Sequence, residues 1–139
     1  MTTDRGGATH QIGEVAEAVG LSLRTIRHYE EVGLVPPSAR SAGGFRLYSG
    51  GDIDRLRLVK DMKPLDFTLE EMRDLLEVRD QLADGPAPKA RDALAERLRL
   101  YAVAAAERCA QLREQLGNAE AFASRLADEA ETGGGRSYR

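Results

Sequence analysis

The residues whose types and spacing are best suited to chemistry lie in one short basic segment, Ser22–Tyr29. If this segment is helical, four polar side chains at i, i+3, i+4 and i+7 share one face: Arg24, Arg27, His28 and Glu31. Two arginines near a helix N-terminus suit insertion into the DNA major groove, because arginine donates paired hydrogen bonds to guanine edges or phosphates. Thr25 and Tyr29 flank this face and can donate hydroxyls to phosphate. An ordinary solvated face is the alternative, so the surrounding elements must decide.

Two short helices are predicted to position this face. Apolar residues repeat at helical spacing in the first helix: Ile12, Val15, Ala16 and Val19. Gly20 ends that helix, Ser22 caps the second helix, and Gly33 ends the second helix at a left-handed position. Two short helices separated by a tight turn predict a helix-turn-helix.

After the second helix the pattern predicts a small β-hairpin. Two extended runs, Ser38–Arg40 and Phe45–Tyr48, flank a small flexible tip over residues 41–44. A short hairpin that follows a helix-turn-helix is a wing. Three side chains on or beside the wing can grip the DNA backbone or enter the minor groove: Arg40, Arg46 and Tyr48.

Two further helices are predicted after the wing. Ser49 and Thr68 are their N-caps, and Asp52 and Glu71 stand three residues later, at the capping-box position. Pro64 is expected to end or kink the first of these helices. This helix carries four cations, Arg55, Arg57, Lys60 and Lys63, and some of them are expected to be surface charges paired with Asp54 or Asp61. The two lysines, Lys60 and Lys63, are candidate phosphate contacts.

A linker over residues 83–88 leads to one long helical segment, residues 89–131, which contains no proline and a single glycine, Gly117. Apolar residues step along it mostly by threes and fours: Leu94, Leu98, Tyr101, Ala105, Cys109, Leu112, Leu116, Ala119, Ala123 and Leu126. The preceding elements are too short to cover this stripe, so it predicts self-association as a homodimer. The alternative is a helix that folds back at Gly117. Residues 1–9 and 132–139 are predicted to be disordered.

The net charge of −3 is unevenly distributed. Residues 22–63 carry eight Arg and Lys against five Asp and Glu, a net of +3, and the flanking stretches are acidic. The positive stretch is where a phosphate-contacting surface would lie, although ordinary scatter of charge is the alternative. No apolar run approaches the roughly 20 residues of a membrane span, and the polar N-terminus lacks a secretory signal. We therefore expect a cytoplasmic protein that does not associate with membranes.

Cofactors and catalysis are not expected. One cysteine, Cys109, excludes an intramolecular disulfide and a cluster of thiolate metal ligands within one chain. Cys109 is interpreted as a small core residue, with a redox switch at a dimer interface as the alternative. The sequence contains no Gly-rich phosphate loop, no metal-ligand spacing and no nucleophile with a nearby base, so an enzyme is not expected. A protein-interaction module is the competing class.

Five segments, in order and at matching spacing across residues 10–80, resemble the MerR family of bacterial transcription regulators: Ile12–Ala16, Ser22–Glu30, Gly33–Pro37, Gly44–Ser49 and Phe67–Glu71. The resemblance implies a mainly α fold, in which a winged helix-turn-helix domain over residues 10–82 precedes a long helix that pairs antiparallel in a homodimer. It also implies that the dimer bends and untwists a near-palindromic operator in double-stranded DNA, so that RNA polymerase can engage the promoter.

The resemblance also assigns site residues by position. Five would be recognition-helix contacts: Arg24, Thr25, Arg27, His28 and Tyr29. Arg46 and Tyr48 would be wing contacts. His28 stands where the family usually has Tyr, Asp66 where it usually has Gly, and Pro64 is unusual near that turn, which bears on the angle between the DNA-binding domain and the coiled coil. No thiolate metal site like those of metal-sensing members is present, so a small apolar effector and no effector at all stay open.

Overall fold

The computed structural model describes residues 7–133 of the chain. Its elements follow in the order β1 (His10–Gln11), α1 (Ile12–Val19), α2 (Leu23–Glu31), β2 (Ala39–Arg40), β3 (Arg46–Tyr48), α3 (Gly50–Met62), a 3₁₀ turn (Lys63–Leu65), α4 (Leu69–Ala83) and α5 (Pro88–Glu131). The fold is mainly α, as predicted. The chain divides after Tyr101 into two compact units. The predictions of disorder for residues 1–9 and 132–139 fall mostly outside the described residues.

The two helices of the predicted helix-turn-helix, α1 and α2, begin and end where local chemistry places them. Gly20 adopts the left-handed conformation at φ 72° and its N–H donates to the Ala16 carbonyl, which ends α1. Ser22 Oγ accepts a 3.0 Å hydrogen bond from the Thr25 N–H and caps α2. Gly33 follows α2 at φ 74°, at its predicted left-handed position.

The wing hairpin is confirmed, and it belongs to a slightly larger sheet. β2 and β3 pair antiparallel with Arg40 opposite Arg46. On its other edge β3 pairs with β1, placing His10 opposite Tyr48. The sequence did not indicate β1, because two residues are too few to show the alternation that marks a strand.

A buried carboxylate, Asp52, joins the wing to α3. Its Oδ2 accepts hydrogen bonds from the Ser49 N–H at 2.9 Å, the Ser38 N–H at 3.1 Å and the Ser38 hydroxyl at 2.6 Å. Arg55 Nη1 lies 3.6 Å from Oδ1. The predicted capping box at Ser49 is therefore present, and its acid also fixes the residue that precedes β2.

Pro64 was predicted to end or kink α3, and the helix does end just before it, in the turn that leads to α4. α3 ends at Met62 and tightens into the 3₁₀ turn, and Asp66 follows in the left-handed conformation at φ 60°. Thr68 then caps α4 through a box with Glu71. Asp66 thus occupies a conformation that glycine adopts more readily.

The first turns of α5 are fastened within the first unit. Tyr101 Oη donates a 2.7 Å hydrogen bond to Asp74, which also pairs with Arg97. Burial, and secondly this bond to Asp74, raises the pKa of Tyr101 to about 12. Leu94 is buried. The assignment of Leu94 to a dimer stripe is therefore wrong, because its own unit already buries this side chain. Tyr101, another residue of the stripe, is held in the first unit by its hydrogen bond to Asp74.

The second unit consists mainly of the rest of α5, which runs unbroken through Gly117 to Glu131. The alternative of a helix that folds back at Gly117 is not observed. Three leucines of the predicted stripe are exposed in this unit: Leu112, Leu116 and Leu126. Within residues 7–133, no helix combines the length and apolar character needed to cross a bilayer.

Replacing Asp52 tests how much its buried carboxylate contributes to the free energy of unfolding. Asp52→Ala leaves the Ser38 and Ser49 donors without their acceptor, so we expect the free energy of unfolding to fall by about 3 kcal/mol. Urea denaturation followed by circular dichroism measures the change. Asp54→Ala is the control, because Asp54 is exposed and its only described pairing is a 3.6 Å contact with Arg57, and we expect a loss below about 0.5 kcal/mol. Equal losses in both variants would contradict this account.

Candidate nucleic-acid interface

The exposed face of α2 carries the side chains that the sequence singled out. Arg24, Arg27 and His28 are all exposed, and they lie on one side of the helix. The opposite side buries Ile26 and Tyr29 against the domain core. Because the buried residues fix the helix rotation, the polar side chains are presented together.

A groove of about 680 Å³ runs beside this face. Its cationic wall comes from Arg24, Arg27 and Lys63, and Glu31 is also part of its lining. Its apolar wall, which was not predicted as part of a site, consists of Phe67, Leu69 and Met72. The structure thus brings Lys63 beside the recognition-helix arginines, which sequence distance alone did not show.

Thr25 and Tyr29 are less available than predicted. The Thr25 hydroxyl accepts a 2.8 Å hydrogen bond from Ser22 Oγ at the helix cap. Tyr29 is buried, and this burial raises the pKa of its phenol. Its ring lies 5.8 Å from the His28 ring, and part of it borders the groove. Tyr29 is therefore mainly a core residue, and its ring packs near the ring of His28.

The two wing arginines, Arg40 and Arg46, both contact Glu30 of α2. Arg40 Nη2 lies 2.6 Å from one carboxylate oxygen of Glu30, and Arg46 Nε donates to the other. The hydrogen bond to Glu30 is the main cause that raises the pKa of Arg46. Sequence reasoning missed the role of Glu30, because its partners lie 10 and 16 residues away.

The expectation that Tyr48 contacts DNA from the wing needs correction. Its side chain is fully buried, and its hydroxyl has no hydrogen-bond partner among the described residues. Burial is also the main cause that raises the pKa of this phenol. A group enclosed in this way cannot reach a phosphate unless the domain opens. The exposed aromatic residue of the wing is instead Phe45, which was not singled out.

Lys60 and Lys63, predicted together, lie in different surroundings. Lys60 Nζ donates a 2.7 Å hydrogen bond to the Val19 carbonyl at the end of α1. An ammonium at a helix C-terminus satisfies a free carbonyl and complements the helix dipole. Lys60 is thus engaged within the domain, whereas Lys63 faces the groove.

Within residues 7–133, no group of three or more His, Cys, Asp or Glu side chains gathers in a way that could hold a metal ion. The single thiol, Cys109, is partly exposed. Its assignment to a core therefore stays a prediction.

Comparison with known proteins gives two family matches. A model described as MerR HTH family regulatory protein matches residues 11–78, and one described as MerR, DNA binding matches residues 53–128. The mercuric resistance operon regulatory protein of Bacillus cereus is 45% identical over 71 residues, which is 51% of this chain and 54% of that protein. The ZntR homolog of Haemophilus influenzae is 39% identical over 70 residues, 50% of this chain and 52% of that protein. The matches thus span about half the length of these curated relatives.

Solved structures agree in fold. A MerR family regulator named HiNmlR, described as lacking the sensor domain and bound to promoter DNA, superposes with a TM-score of 0.66 at 24% identity, covering 91% of this chain and 94% of that one. A regulator of Listeria monocytogenes superposes at 0.58 with 26% identity, covering 89% and 87%. Both structures support a mainly helical fold with a winged helix-turn-helix and a long C-terminal helix.

The buried hydroxyl of Tyr48 gives a direct test of its role. Tyr48→Phe removes a polar atom that lacks a partner, so we expect unchanged or higher stability, by up to about 1 kcal/mol. Affinity for duplex DNA should stay within twofold of the wild-type value. Thermal denaturation and fluorescence anisotropy with labelled DNA measure the two quantities. A tenfold loss of affinity with intact stability would restore Tyr48 as a contact.

Proposed function

The chain belongs to the MerR family of helix-turn-helix regulatory proteins, and we propose that it regulates transcription by binding a palindromic operator as a homodimer and by bending and untwisting promoter DNA. The observation that carries this proposal is the exposed arginine-bearing face of α2 in a winged helix-turn-helix. A helix with this face fits the major groove, where arginine reads guanine edges.

Each proposed contact follows from exposure. Arg24 and Arg27 would reach base edges or phosphates, and His28 would hydrogen-bond to phosphate. Lys63 in the lining of the groove, and Arg40 and Arg46 on the wing, would add phosphate contacts. Thr25 and Tyr29 would contact phosphate only through the parts of their hydroxyl groups that stay accessible to solvent.

The homodimer is supported by the apolar stripe of the second unit. Leu112, Leu116 and Leu126 are exposed in the single chain, and burying a leucine against a second copy contributes about 1.5–3 kcal/mol. A two-fold dimer presents two recognition helices, and two half-sites related by symmetry then form a palindrome. An antiparallel pairing of the two stripes satisfies this symmetry.

Bending of the operator would follow from contacts on both half-sites. Bending a site of 20–30 base pairs costs on the order of 1–6 kcal/mol, and phosphate contacts on each half-site offset that cost. The deformed promoter would then present its two elements to RNA polymerase.

Footprinting tests the operator. We expect the full chain to protect two symmetric half-sites, with distorted DNA between them, on a duplex enriched from a random pool. Arg27→Ala should weaken binding to this duplex by about tenfold to a hundredfold, because a bidentate contact is worth roughly 1–3 kcal/mol. Arg79→Ala is the control, since it removes the same charge from an exposed position on α4. One asymmetric, undistorted site would contradict the proposal, and a dimer without DNA affinity would favour an interaction module.

Sedimentation tests the dimer. Leu116→Glu places a charge in the stripe and should convert the protein to a monomer at micromolar concentration, because an unpaired charge at a helix interface is costly. Leu100→Glu is the matched control, since Leu100 is 61% exposed, comparable with 57% for Leu116, but lies outside the stripe. A monomeric wild-type protein, or equal effects of both substitutions, would argue against the proposed interface.

A further inference from the structure

We propose that Glu30 is a positioning residue that fixes the wing arginines Arg40 and Arg46 against the recognition helix and thereby sets the specificity of DNA binding. The inference rests on the proposed function, since it concerns how the same surface engages DNA. It assigns to an acidic side chain of the recognition helix a role beyond ordinary surface charge.

The geometry links three elements through one carboxylate. Arg40 on β2 and Arg46 on β3 stand opposite each other in the hairpin register. Each donates to a different oxygen of Glu30 on α2. One side chain of the recognition helix therefore holds both strands of the wing, and neither arginine can move without losing a charge-assisted hydrogen bond.

A further contact restricts Arg40. Its Nη1 donates a 3.1 Å hydrogen bond to the carbonyl of Gly44 at the hairpin tip. The tip is closed by the Ser41 N–H, which donates to the Phe45 carbonyl at 2.9 Å. The Arg40 guanidinium thus spans from the tip of the wing to Glu30, which orients the hairpin as well as the side chain.

The charge balance leaves this cluster able to contact DNA. Two guanidinium groups bind one carboxylate, so these three side chains together carry a net positive charge, while Glu31 also acts on Arg46 through a Coulombic interaction. Each guanidinium has five N–H donors, and the described contacts use only some of them. The Arg40 and Arg46 side chains are 48% and 29% exposed, against 18% for Glu30. The arginines therefore offer donors to phosphate from directions that Glu30 determines.

Specificity follows from competition between Glu30 and phosphate. While the arginines are held, they match phosphates only where the DNA backbone has the shape that suits both the wing and the recognition helix. Without Glu30 they gain freedom to reach phosphates of any duplex, since phosphate contacts carry no sequence information themselves. Glu30 thus weakens binding to duplexes that lack the operator sequence more than it weakens binding to the operator itself.

The experiment compares a duplex enriched by the wild-type chain with a scrambled duplex of equal length and composition, across a salt series. For Glu30→Gln we expect the ratio of the two dissociation constants to fall about tenfold, mainly through tighter binding to the scrambled duplex. The logarithmic salt slope on the scrambled duplex should steepen by about one to two, because up to two more phosphates are contacted. In a chain that also carries Arg40→Gln and Arg46→Gln, Glu30→Gln should not steepen the slope.

Glu17→Gln is the matched control, because it removes the same charge from an exposed position on α1, and it should leave the ratio and slope unchanged. If circular dichroism shows that Glu30→Gln does not fold, Glu30→Asp keeps the charge but is too short to hold both arginines. The ratio should then fall and the salt slope should steepen, each by less than the values given for Glu30→Gln, because one arginine is released instead of two. An unchanged ratio in the folded variant overturns the inference alone. A wild-type chain that does not distinguish the two duplexes overturns the proposed function instead.

Discussion

The buried carboxylate of Asp52 is the constraint on which the DNA-binding unit depends. Removing a charge from water costs several kcal/mol unless hydrogen bonds replace the lost hydration. Three donors from Ser38 and Ser49 converge on one oxygen and supply that replacement. The same carboxylate completes the Ser49 capping box of α3 and holds the residue before β2, so it links the start of the helix to the wing.

Acidic residues elsewhere in the unit have a similar use, which explains how an acidic chain carries a cationic surface. Glu30 holds two wing arginines, and Asp74 accepts from Tyr101 and pairs with Arg97. Each acid orients polar groups contributed by other elements. Arg24 and Arg27 on the face of α2, by contrast, stay exposed. The local arrangement of charge, and not its sum, therefore determines which surface suits phosphate.

The sequence predicted features that depend on neighbouring residues and failed where distant residues decide. The caps at Ser22, Ser49 and Thr68 were correct because a cap needs only the three following positions. The sequence did carry a local signal for the burial of Tyr48, because Tyr48 precedes the Ser49 cap and Ile53 follows it at the spacing of a hydrophobic staple. The assignment of Tyr48 to the DNA-contacting surface of the wing set that signal aside. The pairing of Glu30 with the wing and the burial of Leu94 depend on tertiary contacts that no local pattern encodes.

The left-handed Asp66 between α3 and α4 has a mechanical consequence. An L-residue occupies a narrow energy well in this region and tolerates it at a cost of roughly 1–2 kcal/mol, whereas glycine moves freely among several wells. Pro64 fixes φ two residues earlier. Backbone rotation in the connection between α3 and α4 is therefore restricted. Force on α4 is then transmitted to α3 instead of being absorbed by rotation of the backbone.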